Sequence, residues 1–240
     1  MKLPIRFAKD NKQTIQYLNF RRARILFILS GGLIMPFTMI HLGVAHNLLD
    51  KLKIKEIPDY YLGAISPDAV HCRENFKREY KNVSHLYSAH DDIKLLMNDI
   101  KDFILKNNSH EYRDFYLGYG VHIITDLYCR PESKDKIPVQ NLKDLTIEDY
   151  FQDMSILDLE LYKKYEYKAE IWKYFSKCRP IGIEGLVSAE EVMAWYNGVQ
   201  ESFDKNESEH TNPSKYILYD DVLNFMEKAA VKIYDYLYCH

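Results

Sequence analysis

At 240 residues and a net charge of −3, the chain can bury one sizeable core but carries too little charge to imply a polyanion partner. Glycine and proline are sparse, at 9 and 8, which excludes a turn-rich β protein or a disordered tail, and 20 tyrosines suit long helices with amphipathic edges. Cys72, Cys129, Cys178 and Cys239 show no CxxC spacing, which disfavours a cysteine-rich zinc site and fits free thiols in a reducing compartment.

Residues 1–34 differ from the rest. They are polar and basic to Arg24, and an apolar run over 25–40 follows, broken by Gly31, Gly32 and Pro36. That run is shorter than the ~20 residues of a spanning helix. The favoured reading is a start at Met35, with 1–34 an upstream extension; a signal or membrane-proximal segment is the alternative. Cytoplasmic location follows from the first reading, membrane association or secretion from the second.

From Met35 the pattern is orderly. Pro36 suits a first helical turn and Thr38 a cap, opening a helix over 39–52 that bears His41 and His46. Pro58 and the segment Leu62-Gly-Ala-Ile-Ser-Pro-Asp68 form a loop, in which Pro67 sets Asp68 at a bend. Residues 71–84 read as a charged loop. Apolar residues at three- and four-residue steps predict a helix over 85–106, from His85 through Ile93, Leu96, Ile100 and Ile104. A central helix is expected over 110–129, with Pro131 beyond its end. Thr146-Ile-Glu-Asp149 reads as a capping box opening a helix to about residue 176, and Ser188-Ala-Glu-Glu191 as a second, opening one over 189–203. A polar linker over 204–214 precedes a last helix over 216–238. With no strand alternation and no internal repeat, the expected class is all-α: a bundle of six or seven helices in one domain over 35–240, with a metal site in its core.

The chemistry concentrates in the central helix. His122 and Asp126 stand four residues apart, one turn apart on one face, with Leu117, Val121, Ile124 and Leu127 to pack around them. Gly118 and Gly120 each lower helix propensity by about 1 kcal/mol, so another backbone or an ion is expected close by. Imidazole plus carboxylate on a buried helix suits a borderline divalent metal, or else a hydrogen-bonded polar core. In a bundle, His41, Asp68, His85, His122 and Asp126 can project from separate elements into one site.

The segments Met35-Pro-Phe-Thr-Met-Ile-His41, Leu62-Gly-Ala-Ile-Ser-Pro-Asp68, Ser84-His85 and Gly118-Tyr-Gly-Val-His122-Ile-Ile-Thr-Asp126 together resemble the zinc-dependent phospholipase C family, which is structurally akin to P1-type single-strand nucleases. The resemblance covers about residues 35–130 by motif. It implies that Asp68, His85 and His122 hold one zinc, and that Asp126 bridges to a second, which His41 also ligates. It implies that Asp68 doubles as general base. The family's further zinc site uses later histidines, and this chain has none between 123 and 209. Asp153 and Asp158 are candidates for a rebuilt site, against the plainer reading of a solvated charged helix. His46 and His71 are further candidates near the metals, and Asp92 is a candidate for orienting a ligand histidine.

These readings imply one to three zinc ions, two favoured, and hydrolysis of phosphate esters by a metal-bound hydroxide. The expected partner is a phospholipid headgroup or another phosphodiester, with transient membrane contact and no stable nucleic-acid partner. Two alternatives stay open: a helical metal-binding protein without turnover, and a P1-like nuclease.

Overall fold

A computed structural model describes residues 37–87, 92–130, 133–208 and 212–238. Residues 1–34, Pro36, His90, His210 and His240 lie outside these ranges, and so do the expectations attached to them. The described residues form nine α-helices and two short 3-10 segments, with no strand beyond an isolated bridge between Ile183 and Val187. Among the described residues, no helix is long and apolar enough to cross a membrane.

Helix α5 (Arg113–Cys129) is the axis of the bundle. Its residues from Leu117 to Leu127 are all buried, so it has no solvent face and no amphipathic stripe. Around it pack α1 (Thr38–Leu48), α2 (Ile57–Gly63), α4 (Ile93–Lys106), α9 (Tyr219–Tyr238) and the 3-10 segment Ser66–Cys72. Helix α4 shows the ordinary pattern, burying only Leu96, Met97, Ile100 and Ile104 along one stripe. Helix α3 (Arg78–Ser84) lies beside the 3-10 segment, and α6 (Ile147–Lys164), α7 (Lys168–Phe175) and α8 (Ala189–Asn206) close the other sides.

The class is as expected; the helix count and several boundaries are not. Residues 78–84, expected as a loop, form α3, and the helix expected from His85 begins at Ile93. Asp92 caps that helix, its carboxylate accepting from Lys94 N–H at 2.7 Å. The helix expected from Thr146 to about residue 176 breaks at Tyr165, whose buried backbone turns extended although no glycine or proline stands there. Packing causes that break: the Tyr165 hydroxyl reaches Asn47 Oδ1 at 3.1 Å, on α1. Thr38 is the first helical residue of α1 rather than its cap. Both capping boxes form, Thr146 with Asp149 and Ser188 with Glu191.

Two contacts clamp α2 against α5. At one end the buried Asp114 carboxylate accepts from Lys55 and Glu56 N–H, at 2.7 and 2.8 Å, just ahead of α2. At the other end the backbones meet at Gly63 and Gly118. A Cβ on Gly118 would stand 2.0 Å from Tyr60 O, and one on Gly63 would stand 2.1 Å from Phe115 O. The close approach expected of Gly118 is thus to backbone. Gly120 instead faces the Ile104 side chain.

Candidate metal centre

Each site residue is positioned by its own local structure. The α2–α5 crossing brings the Ala64 carbonyl to His122, whose Nδ1–H donates to it at 2.8 Å. That bond fixes the tautomer and turns Nε2, with its lone pair, away from Ala64. His85 terminates α3. Its Nδ1–H lies 3.1 Å from Lys81 O and 2.9 Å from Ser84 Oγ, which again turns Nε2 inward. Tyr119 of α5 donates its hydroxyl hydrogen to Ser84 O at 2.6 Å, tying the end of α3 to the central helix. Past His85 the chain reverses through Leu86, a non-glycine at φ +58°, with Leu86 N–H on Val83 O and Tyr87 N–H on Asn82 O. Pro67 sits in the first turn of the 3-10 segment that carries Asp68. His41 projects from α1, whose start is held by Asp158 of α6 accepting from Met39 N–H at 2.7 Å.

These elements bring His41, Asp68, His85, His122 and Asp126 together. Asp126 Oδ1 lies 3.3 Å from His41 Nε2, and Oδ2 lies 3.3 Å from His85 Nε2 and 3.9 Å from His122 Nε2. Asp68 Oδ1 is 3.4 Å from His85 Nε2, and Oδ2 is 3.9 Å from His122 Nε2. The His41 and His122 rings stack, their centres 3.7 Å apart. Two three-residue groups have donor atoms close enough to share an ion, His41 with His122 and Asp126, and Asp68 with His85 and His122.

Four of the five residues are essentially inaccessible to water, while Asp68 is 16 % exposed. Burial holds the His122 imidazole down, to about 3, with His41 adding to the effect, so it is neutral at pH 7. Burial pushes the Asp126 carboxyl up, but the His41 and His85 imidazoles, each with Nε2 3.3 Å from one of its oxygens, outweigh it and leave the group well below the usual carboxylate range. Asp68 is likewise lowered: burial raises it, and the Lys81 ammonium more than reverses that, with help from His85 and His122.

The donor set fits zinc. His41 Nε2, His85 Nε2, His122 Nε2 and both Asp126 oxygens are buried without a hydrogen-bond partner. Polar atoms are rarely left so inside a protein, because each forfeits its hydration. Three imidazoles and two carboxylates with aligned lone pairs are what a borderline divalent ion requires.

The other candidates fall elsewhere. His71 is buried, 3.8 Å from Asp68 Oδ1, and packs on Phe76 and Trp195, at the edge of the cluster. His46 shares 2.7 Å with the Tyr61 hydroxyl and borders a surface cavity of about 430 Å³ with Tyr167. Asp153 accepts three backbone N–H bonds, from Lys215, Tyr216 and Ile217, which fixes the approach to α9. Neither Asp153 nor Asp158 joins the two donor groups.

Lys81 escaped the sequence reading. Its Nζ lies 2.9 Å from Asp68 Oδ1, nearly buried. The signal was its position four residues before His85, which counts only once 78–84 is read as a helix.

The sequence model of the zinc dependent phospholipase C family matches residues 35–226. The chain belongs to that family. The match runs well beyond the motifs over 35–130 and takes in α6, α7, α8 and the first turns of α9. Neither the curated proteins nor the solved structures offer a match to the chain.

Proposed function

We propose that the chain is a zinc-dependent hydrolase of phosphodiesters, acting on a phospholipid headgroup in the manner of a phospholipase C. The observation that carries this reading is the convergence of five buried, unpartnered donor atoms from His41, His85, His122 and Asp126 beside the partly exposed Asp68. Asp68, His85 and His122 would hold one ion, and His41, His122 and Asp126 a second. Zinc bound there supplies a lowered pKa for water and charge to offset that on the phosphoryl oxygens. The chain's own residues do the rest. Ala64 and the end of α3 hold the imidazoles of His122 and His85 in their ligating tautomers. Asp68, the one cluster member open to solvent, takes the proton of the attacking water, and Lys81 steadies the carboxylate at Oδ1.

The test is turnover of a short-chain phospholipid, a chromogenic phosphodiester and single-stranded DNA by the zinc-loaded chain. Release of diacylglycerol, abolished by chelation and restored by zinc, is the expected result. Asp68→Asn should lower kcat by about 100-fold or more. A second reading, zinc bound without turnover, is favoured by the lack of histidine between 123 and 209. No cleavage of any diester by protein carrying two zinc equivalents would establish that reading.

A further inference from the structure

Arg130 follows Asp126 by one turn, at the end of α5. It is nine-tenths buried, and its Nε has no hydrogen-bond partner. Among the described residues, no carboxylate lies within ion-pair distance of its guanidinium. Arg130 instead lies over the Tyr87 ring, 4.6 Å from its centre. The His85 imidazole also neighbours that ring, at 5.4 Å. The Tyr87 hydroxyl is also buried, beside the Arg130 guanidinium. The Asp126 carboxylate is close enough to help burial raise the Tyr87 phenol, against Arg130. Arg130 and Tyr87 therefore adjoin the metal centre.

The end of a helix favours a cation, and so does an aromatic face. Neither supplies an acceptor to the Arg130 Nε–H, and a buried donor without one is costly. What is missing is an anion with several oxygens. A phosphoryl group is the close match, because the planar fork of arginine donates to two oxygens at once.

We propose that Arg130 and Tyr87 form the anion-binding side of the metal centre, with Arg130 holding the phosphoryl oxygens of the bound phosphate ester and Tyr87 donating its hydroxyl hydrogen to one of them. This deepens the phosphodiesterase reading and rests on it. The shared chemistry is a phosphate oxyanion, whether free or on a lipid headgroup. Asp68 and Asp126 are offset by Lys81 and Arg130 until zinc adds positive charge, so binding of the anion strengthens when zinc is present.

The test uses the full, zinc-loaded chain. Inorganic phosphate and, separately, a short-chain phospholipid below its micellar concentration are titrated calorimetrically into wild type, Arg130→Met and Arg130→Lys. Arg130→Met is expected to keep its zinc and lose at least tenfold in phosphate affinity, about 1.4 kcal/mol. Arg130→Lys should fall between, because lysine offers a point charge and no fork. In parallel, phenylglyoxal modification of wild-type Arg130 is read by peptide mass spectrometry with and without phosphate, which needs no variant to fold. Phosphate should protect Arg130.

Equal affinity for both ligands in wild type and Arg130→Met, equal modification with and without either ligand, or binding of neither ligand by zinc-loaded wild type would each overturn the proposal. Loss confined to the phospholipid arm would identify the lipid headgroup as the source of the anion. Phosphate binding through Arg130 without cleavage of any diester would retain this proposal and overturn the hydrolase. Diester cleavage with unchanged KM and phosphate affinity in Arg130→Met would do the reverse.

Discussion

Every hydrogen bond His122 makes within the chain is spent on Nδ1, and Nε2 is left to a ligand. His122→Ala or Asp126→Ala should therefore remove bound zinc and abolish the rise in melting temperature that zinc gives the wild type. At a zinc concentration 100 times Kd that rise corresponds to about 2.7 kcal/mol, read by calorimetry with and without chelator. Full zinc content in both variants would disprove the α5 site. Acid acts through the same residue. In the metal-free fold His122 and His71 titrate near 3, while in the unfolded chain they titrate near 6.5. Between those values the unfolded state binds more protons, so stability falls as pH drops from about 6.5 towards 3, at about 1.4 kcal/mol per pH unit for each group. Asp126 and Asp68, lowered in the fold, add a loss that begins near pH 4. Urea titrations from pH 7 to 4 should show the slope, and His122→Ala should flatten it. Asp153→Ala should cost about 2–3 kcal/mol, because three backbone N–H groups lose their acceptor, while zinc content stays unchanged. A loss of zinc in that variant would revive Asp153 as a ligand.

Among the elements, the α2–α5 crossing is the one on which the centre depends. Gly118→Ala drives a methyl into Tyr60 O and parts the helices that deliver Ala64 O to His122. A net loss of about 2–3 kcal/mol is expected after the gain in helix propensity, together with weaker zinc binding in a competition titration. Gly120→Ala meets the tip of Ile104, which can rotate away, and should cost less and leave zinc affinity intact. Much at this scale was legible in the residues. The buried central helix and both capping boxes follow from apolar length and from Thr146 and Ser188 with their acidic partners, whereas the loop expected over 58–68, with its bend at Asp68, is instead helix α2 followed by the 3-10 segment that carries Asp68. Helix α3 was hidden because it is short and nearly all polar outside, holding its place through Lys81 on Asp68 and Ser84 under Tyr119. Its end was hidden because Leu86 takes the left-handed turn that usually announces itself as glycine. Arg130 gave no signal because a lone arginine past a helix reads as an ordinary dipole partner; its buried, unpartnered Nε exists only in three dimensions.

For the molecule as a whole, purified without added metal, elemental analysis should give about two zinc equivalents per chain. One equivalent would point to a reduced or structural site, and none, even after dialysis against zinc, to a polar core. A chain of net charge −3 has no general attraction for phosphate, so recognition of an anion depends on the local field of ions, Lys81 and Arg130. The crossing of α2 and α5 also has an implication for how the sequence can change. Gly63 and Gly118 face each other's helix across one gap, so the first methyl introduced at either position opens room for the second. The double alanine variant should therefore lose less stability than the two single losses combined, a non-additive cycle. A lineage that surrenders one of these glycines loses most of the reason to keep the other, and the pair behaves as a single inherited character.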